Sequence, residues 1–135
     1  MALQFSTTVR NAMLDAIETA ISTSAVLKIR TGSVPATCAT ADSGTVLSTL
    51  NLPSDWMAAA SSGSKAMTGT WSDSSADATG TAAHWRLYAS DGTTCHAQGT
   101  VTATGGGGDM TVDNTSFASG QAFSVTSFSI TAGNA

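Results

Sequence analysis

Residues 82–103, AAHWRLYASDGTTCHAQGTVTA, decide the fold. Ala83, Trp85, Leu87 and Ala89 alternate with His84, Arg86, Tyr88 and Ser90, and Cys95, Ala97, Gly99 and Val101 alternate with polar residues. Side chains point to opposite faces along a strand, so this period of two predicts two half-buried strands. Asp91-Gly92 between them is a strong two-residue turn signal, because both positions tolerate positive φ. The pair reads as a hairpin with an apolar inner face and a polar outer face that carries His84, Arg86 and Tyr88.

The same pattern extends outward. Short alternating runs at 26–30, 45–52, 67–71, 110–113 and 121–131 lie between turn signals. In the last run the parity slips between Phe123/Val125 and Phe128/Ile130, which predicts a bulge near Ser127. Residues 53–65 stay open between a short helical turn around Trp56 and a long loop. Before residue 25 the period changes. Val9, Met13, Ile17 and Ile21 recur every fourth residue, with Arg10, Asn11, Asp15 and Glu18 on other faces. That spacing predicts a helix over 7–22, capped by Ser6 or Thr7, with the apolar stripe buried. The expectation is one domain over 1–135: a mainly β chain, an antiparallel β sandwich of about seven strands over 25–135, with one N-terminal α-helix.

Composition limits what such a domain does. Ala, Thr, Ser and Gly number 23, 22, 19 and 13 of 135 residues, so the core must be thin. Net charge is −4 with five Lys and Arg, which excludes the basic face that nucleic-acid binding needs. No apolar run approaches the length of a membrane span, and the start MALQFSTTVR lacks the form of a signal peptide.

The residues that bear chemistry are few. The four glycines Gly105, Gly106, Gly107 and Gly108 are followed by Asp109, Met110 and Thr111 rather than the Lys and Ser/Thr of a phosphate loop, so they read as a hairpin tip. His84, Cys95 and His96 are conceivable metal ligands. Adjacent strand residues point apart, however, and two histidines are too few for zinc. Asp73, Asp77, Asp109 and Asp113 read as solvated turn residues. Cys38 and Cys95 read as two small unpaired hydrophobes, with a single bridge between them as the alternative, which would imply assembly outside a reducing cytosol. Trp71 and Trp85 fall on apolar strand faces and read as core, whereas Trp56 has no apolar strand around it. No catalytic residue, cofactor or metal is expected. A secreted adhesin or carbohydrate-binding module would need an exposed aromatic platform and an export route.

Three stretches carry a resemblance: MALQFSTTVRNAMLDAIETAI (1–21), LPSDWMAAASSGSKA (52–66) and TVTATGGGGDMTVDNTSFASGQAF (100–123). Together they resemble small Ala/Thr/Gly-rich virion structural proteins of tailed bacteriophages and prophages. The resemblance implies a virion component made in the bacterial cytoplasm. Its favoured form is a capsid decoration (cement) protein that binds the major capsid protein as a homo-oligomer; the rival is a tail or head–tail joining component. It implies no catalytic residue. The contact elements expected on this reading are Ala2, Leu3, Gln4 and Phe5, then Trp56 and Met57, and the four glycines.

Overall fold

A computed structural model describes residues 2–133; Met1, Asn134 and Ala135, the ends of the expected 1–135 domain, lie outside the described residues. The described residues are mainly β with one helix, as expected. Helix α1 (Thr7–Ile21) is followed by ten strand segments: β1 (Val26–Arg30), β2 (Val46–Asn51), β3 (Ser64–Ala66), β4 (Ser72–Asp73), β5 (Gly80–Thr81), β6 (His84–Tyr88), β7 (Cys95–Ala103), β8 (Met110–Val112), β9 (Ser116–Phe117) and β10 (Phe123–Thr131). The large sheet runs β2-β1-β6-β7-β8-β10-β3, and β4 pairs with the start of β10. β5 and β9 form a second, two-stranded sheet. No helix among the described residues is long and apolar enough to cross a membrane.

The hairpin of β6 and β7 is antiparallel, with Trp85 opposite Gly99 and Leu87 opposite Ala97. Gly99 belongs there because a Cβ would lie 2.9 Å from the Trp85 ring. The β10 bulge falls between Val125 and Ser127, where the parity slip placed it. The 72–77 stretch then reaches the free edge of β2. Ser48 Oγ hydrogen-bonds the Asp73 carboxylate, and Asp77 N donates to Leu47 O at 2.7 Å. These bonds cover an edge that would otherwise invite pairing with another chain.

One strand pair departs from the antiparallel expectation. β7 and β8 are parallel, with Val101 opposite Met110 and Ala103 opposite Val112. Parallel neighbours ordinarily need a crossover of about a dozen residues, yet residues 104–109 suffice here. The glycines make this return possible. Gly105 and Gly107 adopt φ +84° and +80°, and a Cβ on Gly106 or Gly108 would sit 2.7 or 2.9 Å from the Thr102 side chain. Gly108 N donates to Thr102 Oγ1 at 3.0 Å. The glycine run is a compact return folded onto Thr102, not a hairpin tip.

The core lies on the inner face of the large sheet. Trp71 and Trp85 are both buried, and Phe128 joins them, with ring centroids 5.5 Å from Trp71 and 5.2 Å from Trp85. Trp56 and Met57, expected at a contact surface, are fully buried instead. Trp56 stacks 6.2 Å from Trp71, and its Nε1 donates to Ser22 O at 3.1 Å. An apolar ring of that size adds more to a thin core than to a solvated loop. Residues 53–65 form no helical turn; they run as an irregular segment into β3.

The helix docks differently from its apolar stripe. Leu14 and Ile21 are buried, while Val9 and Met13 are 42% and 50% exposed. At about 100° per residue, a four-residue step overshoots a full turn by about 40°, so Val9 stands about 120° from Ile21. Leu14, seven residues before Ile21, lies within about 20° of it. The buried face is therefore defined by Leu14 and Ile21, and Val9 and Met13 have rotated out.

Candidate functional site

The polar side of α1 is also a docking face. Asn11, Asp15 and Glu18 follow i, i+4, i+7 spacing. Their side-chain oxygens accept from the backbone N–H groups of Gly63, Ala60 and Met57, at 2.9, 2.9 and 3.2 Å. The helix thus supplies hydrogen-bond partners that the irregular 57–63 segment does not find in a strand. Lys65, fully buried on β3, places Nζ 2.8 Å from Asp15 and 2.9 Å from Glu18. Burial pushes its pKa down, but the two carboxylates outweigh that and hold it above the usual lysine value. Arg10 Nη1 donates to Ala132 O at 3.0 Å, tying the start of the helix to the end of the described chain. These carboxylates line a surface cleft of about 600 Å³ with Asp55 and Ser54, and the Lys65 ammonium, paired with both Asp15 and Glu18, offsets one of their two charges.

The outer face of the large sheet is the second polar region. His84, Arg86 and Tyr88 were expected in solvent; all three are buried. The loop 31–45 lies over them. His84 Nδ1 bonds Gly32 O at 2.8 Å, Gln98 Nε2 donates to Pro35 O at 2.6 Å, and Arg86 donates to the carbonyls of Thr37, Cys38 and Thr40. The Asp42 carboxylate takes Arg30 Nη2 at 2.7 Å, Tyr88 Oη at 2.8 Å, and Arg86 Nη1 in a close ion pair. Burial raises the Asp42 pKa, but the Tyr88 hydroxyl and the two guanidiniums outweigh it and leave the carboxyl below its usual range. Burial, with Asp42 beside it, pushes the Tyr88 phenol up to about 12. His84 is held below the usual histidine range, first by burial, with Arg30 and Arg86 adding to it.

The conceivable metal ligands are not brought together. His84 pairs with Thr100, not His96. Cys95 lies opposite Tyr88, four residues along β6, or about 13 Å at 3.3 Å per residue. His96 is exposed and lines a different cleft with Trp85 and Ile130. Among the described residues, no group of three His, Cys, Asp or Glu could hold a metal ion. Of the aspartates expected as solvated turn residues, Asp77, Asp109 and Asp113 are exposed while Asp73 is half-buried on β4; Asp109 Oδ2 takes Thr100 N, inside β7, at 2.8 Å and Asp113 Oδ1 takes Ser124 N at 3.2 Å.

Of the expected contact residues, Ala2, Leu3, Gln4 and Phe5 are exposed, as are Gly105, Gly106 and Gly107, while Gly108 is half-buried. Leu3 and Phe5 are 74% and 41% exposed and lead directly into the exposed Val9 and Met13. These four are the large apolar side chains that the described residues leave exposed. Sequence reasoning found the first two and assigned the other two to the core.

Fold and site together define a mainly β domain whose polar clusters serve its own packing and whose N-terminal end is apolar and accessible. The chain matches no protein-family model, no curated protein and no solved structure.

Proposed function

We propose that the chain is a bacteriophage virion structural protein without catalytic activity: a capsid decoration protein that binds the outer head shell. The observation that carries this reading is the exposed apolar group Leu3, Phe5, Val9 and Met13. The helix already buries Leu14 and Ile21 and is anchored by its polar side, so Val9 and Met13 are not needed for the chain's own core. Apolar groups of this kind serve association. The resemblance of residues 1–21, 52–66 and 100–123 to phage structural proteins supports a partner within the virion, with the major capsid protein the favoured one, and self-association into a homo-oligomer is the usual way for a small chain to gain buried area. All five Lys and Arg side chains are engaged within the fold. Attachment by this surface therefore depends little on salt.

Purified virions of the phage that encodes the chain test the reading, with heads and tails separated and probed by mass spectrometry. The expected result is many copies on heads, lost when Val9→Asp and Met13→Asp are combined, with the unfolding midpoint of the isolated variant unchanged. Recovery with tails or necks replaces the decoration role with the tail or head–tail joining role. Absence from virions overturns the class.

A further inference from the structure

Cys38 and Cys95 lie 57 positions apart in sequence and meet on the outer face of the large sheet. The register shift between Leu87 and Tyr88 leaves His96 unmatched and sets Cys95 opposite Tyr88. That shift sets the Cys95 side chain on the side that carries Arg86 and Tyr88, rather than on the face it would share with the Ala97 side chain by plain alternation, and its thiol donates to Ala97 O at 3.4 Å. The loop 31–45 brings Cys38 to the same place. Arg86 Nη2 donates to Cys38 O at 2.8 Å and to Thr37 O at 3.3 Å, while Nη1 donates to Thr40 O at 3.1 Å. Gln98, on the same strand as Cys95, holds Pro35 O. Both cysteines are half-buried and free, and the Cys95 thiol interacts with the Cys38 thiol and with the Arg86 guanidinium.

We propose that Cys38 and Cys95 are a disulfide-forming pair, and that the bond fastens the loop 31–45 onto the sheet when the protein meets a small-molecule disulfide such as oxidised glutathione. One protein thiol, as its thiolate, attacks a glutathione sulfur. The glutathione S–S bond breaks, one reduced glutathione leaves, and a mixed disulfide remains. The second protein thiol gives up its proton and attacks the protein sulfur of that mixed disulfide, and a second reduced glutathione leaves. The protein loses two electrons and two protons, and the oxidant is reduced to two thiols. Burial, with the Cys38 thiol beside it, pushes the Cys95 thiol up to about 11, so the exchange is slow at neutral pH and accelerates with alkalinity. The bond closes a long stretch of chain, which constrains the unfolded state strongly. This inference does not depend on the attachment reading.

The test treats the native reduced protein with oxidised glutathione at mildly alkaline pH, then traps remaining thiols by alkylation. The expected product is a monomer lighter by two hydrogens, with both thiols lost together and a Cys38–Cys95 cross-linked peptide. Dithiothreitol reverses it, and its unfolding midpoint lies at higher denaturant than that of the reduced protein. Cys38→Ser and Cys95→Ser singly should give one glutathione adduct each and no rise in midpoint. A stable adduct on the native wild type, a disulfide-linked dimer, or two free thiols after a time in which the unfolded chain oxidises fully would each overturn the pairing. A bridge that lowers the midpoint would overturn the fastening role.

Discussion

Asp42 and Arg86 form an ion pair that joins the loop 31–45 to an interior strand of the large sheet, with the Arg86 side chain 1% exposed. The pair is the centre of a polar layer in which one carboxylate faces two guanidiniums and a phenol. Asp42→Ala strands a buried Arg86 without its counter-charge. Such a loss costs about 3 kcal/mol where the carboxylate is partly exposed, as Asp42 is. Asp42→Asn keeps hydrogen-bonding capacity and should cost less. Urea unfolding midpoints of the two variants check the order, and a near-complete rescue by Asp42→Asn, which restores an acceptor but not the charge, would count against the ion pair.

His84 makes the fold acid-sensitive. Its folded pKa lies below its unfolded value of about 6.5. The unfolded chain therefore binds the proton more readily, and the stability His84 contributes is present at neutral pH and lost as pH falls through about 6.5 toward the folded value. The groups that face it are Arg30, Arg86 and Asp42, and the first two repel the added charge. Wild type should lose stability between pH 7.5 and 5, while His84→Gln should be nearly flat there (~pH 5–7.5), above the range where carboxylates titrate. Denaturant melts at these pH values decide it, and parallel pH slopes would remove His84 as the cause.

Helix orientation is tested by truncation. Leu14→Ala should cost about 2–5 kcal/mol, as a buried leucine does. Val9→Ala and Met13→Ala should each cost far less, about 0.5–1 kcal/mol at most, because the two residues are already 42% and 50% exposed. The reverse ranking, read by thermal unfolding, would restore the Val9–Ile21 stripe as the docking face.

The glycine return predicts a positional cost. Gly106→Ala places a methyl 2.7 Å from Thr102 Cβ and should cost about 1–3 kcal/mol by overpacking. Replacing Thr102 by Ser in the same chain should recover little of the loss, because the Thr102 atoms that a Gly106 methyl meets are Cβ and Oγ1, and serine keeps both. A solvated hairpin tip would accept Gly106→Ala without measurable change, so hydrogen exchange of the Gly108 amide, which bonds Thr102, separates the two.

Much of the fold was legible in the residues. The strand period of β6 and β7 and the parity slip in β10 are local signals that the structure follows. The chain also turns near Asp91-Gly92, but through the longer loop 89–94 with only Gly92 at positive φ rather than a two-residue turn, and a register shift takes Cys95 off the face it was expected to share with Ala97. The helix was legible as a helix, but not its orientation, because an every-fourth-residue stripe rotates away from one face over three turns. The row Asn11, Asp15 and Glu18 was placed only on the faces away from the apolar stripe. Nothing local showed that its partners would be the backbone of 57–63. Of the candidate contact surface, Ala2, Leu3, Gln4 and Phe5 were found, while Trp56 and Met57 were misplaced because their apolar neighbours, Trp71 and Phe128, are remote in sequence.

The sequence by itself determined what depends on near neighbours: strand period, the helix and its Ser6 cap, and a net charge of −4. The tertiary structure alone decided which faces are covered. Loop 31–45 has no periodic signal, yet by folding over β6 it buries His84, Arg86 and Tyr88 and brings Cys38 to Cys95. A strand's alternation reports that two faces differ, but not whether a distant segment with matching hydrogen-bond acceptors will cover the polar one.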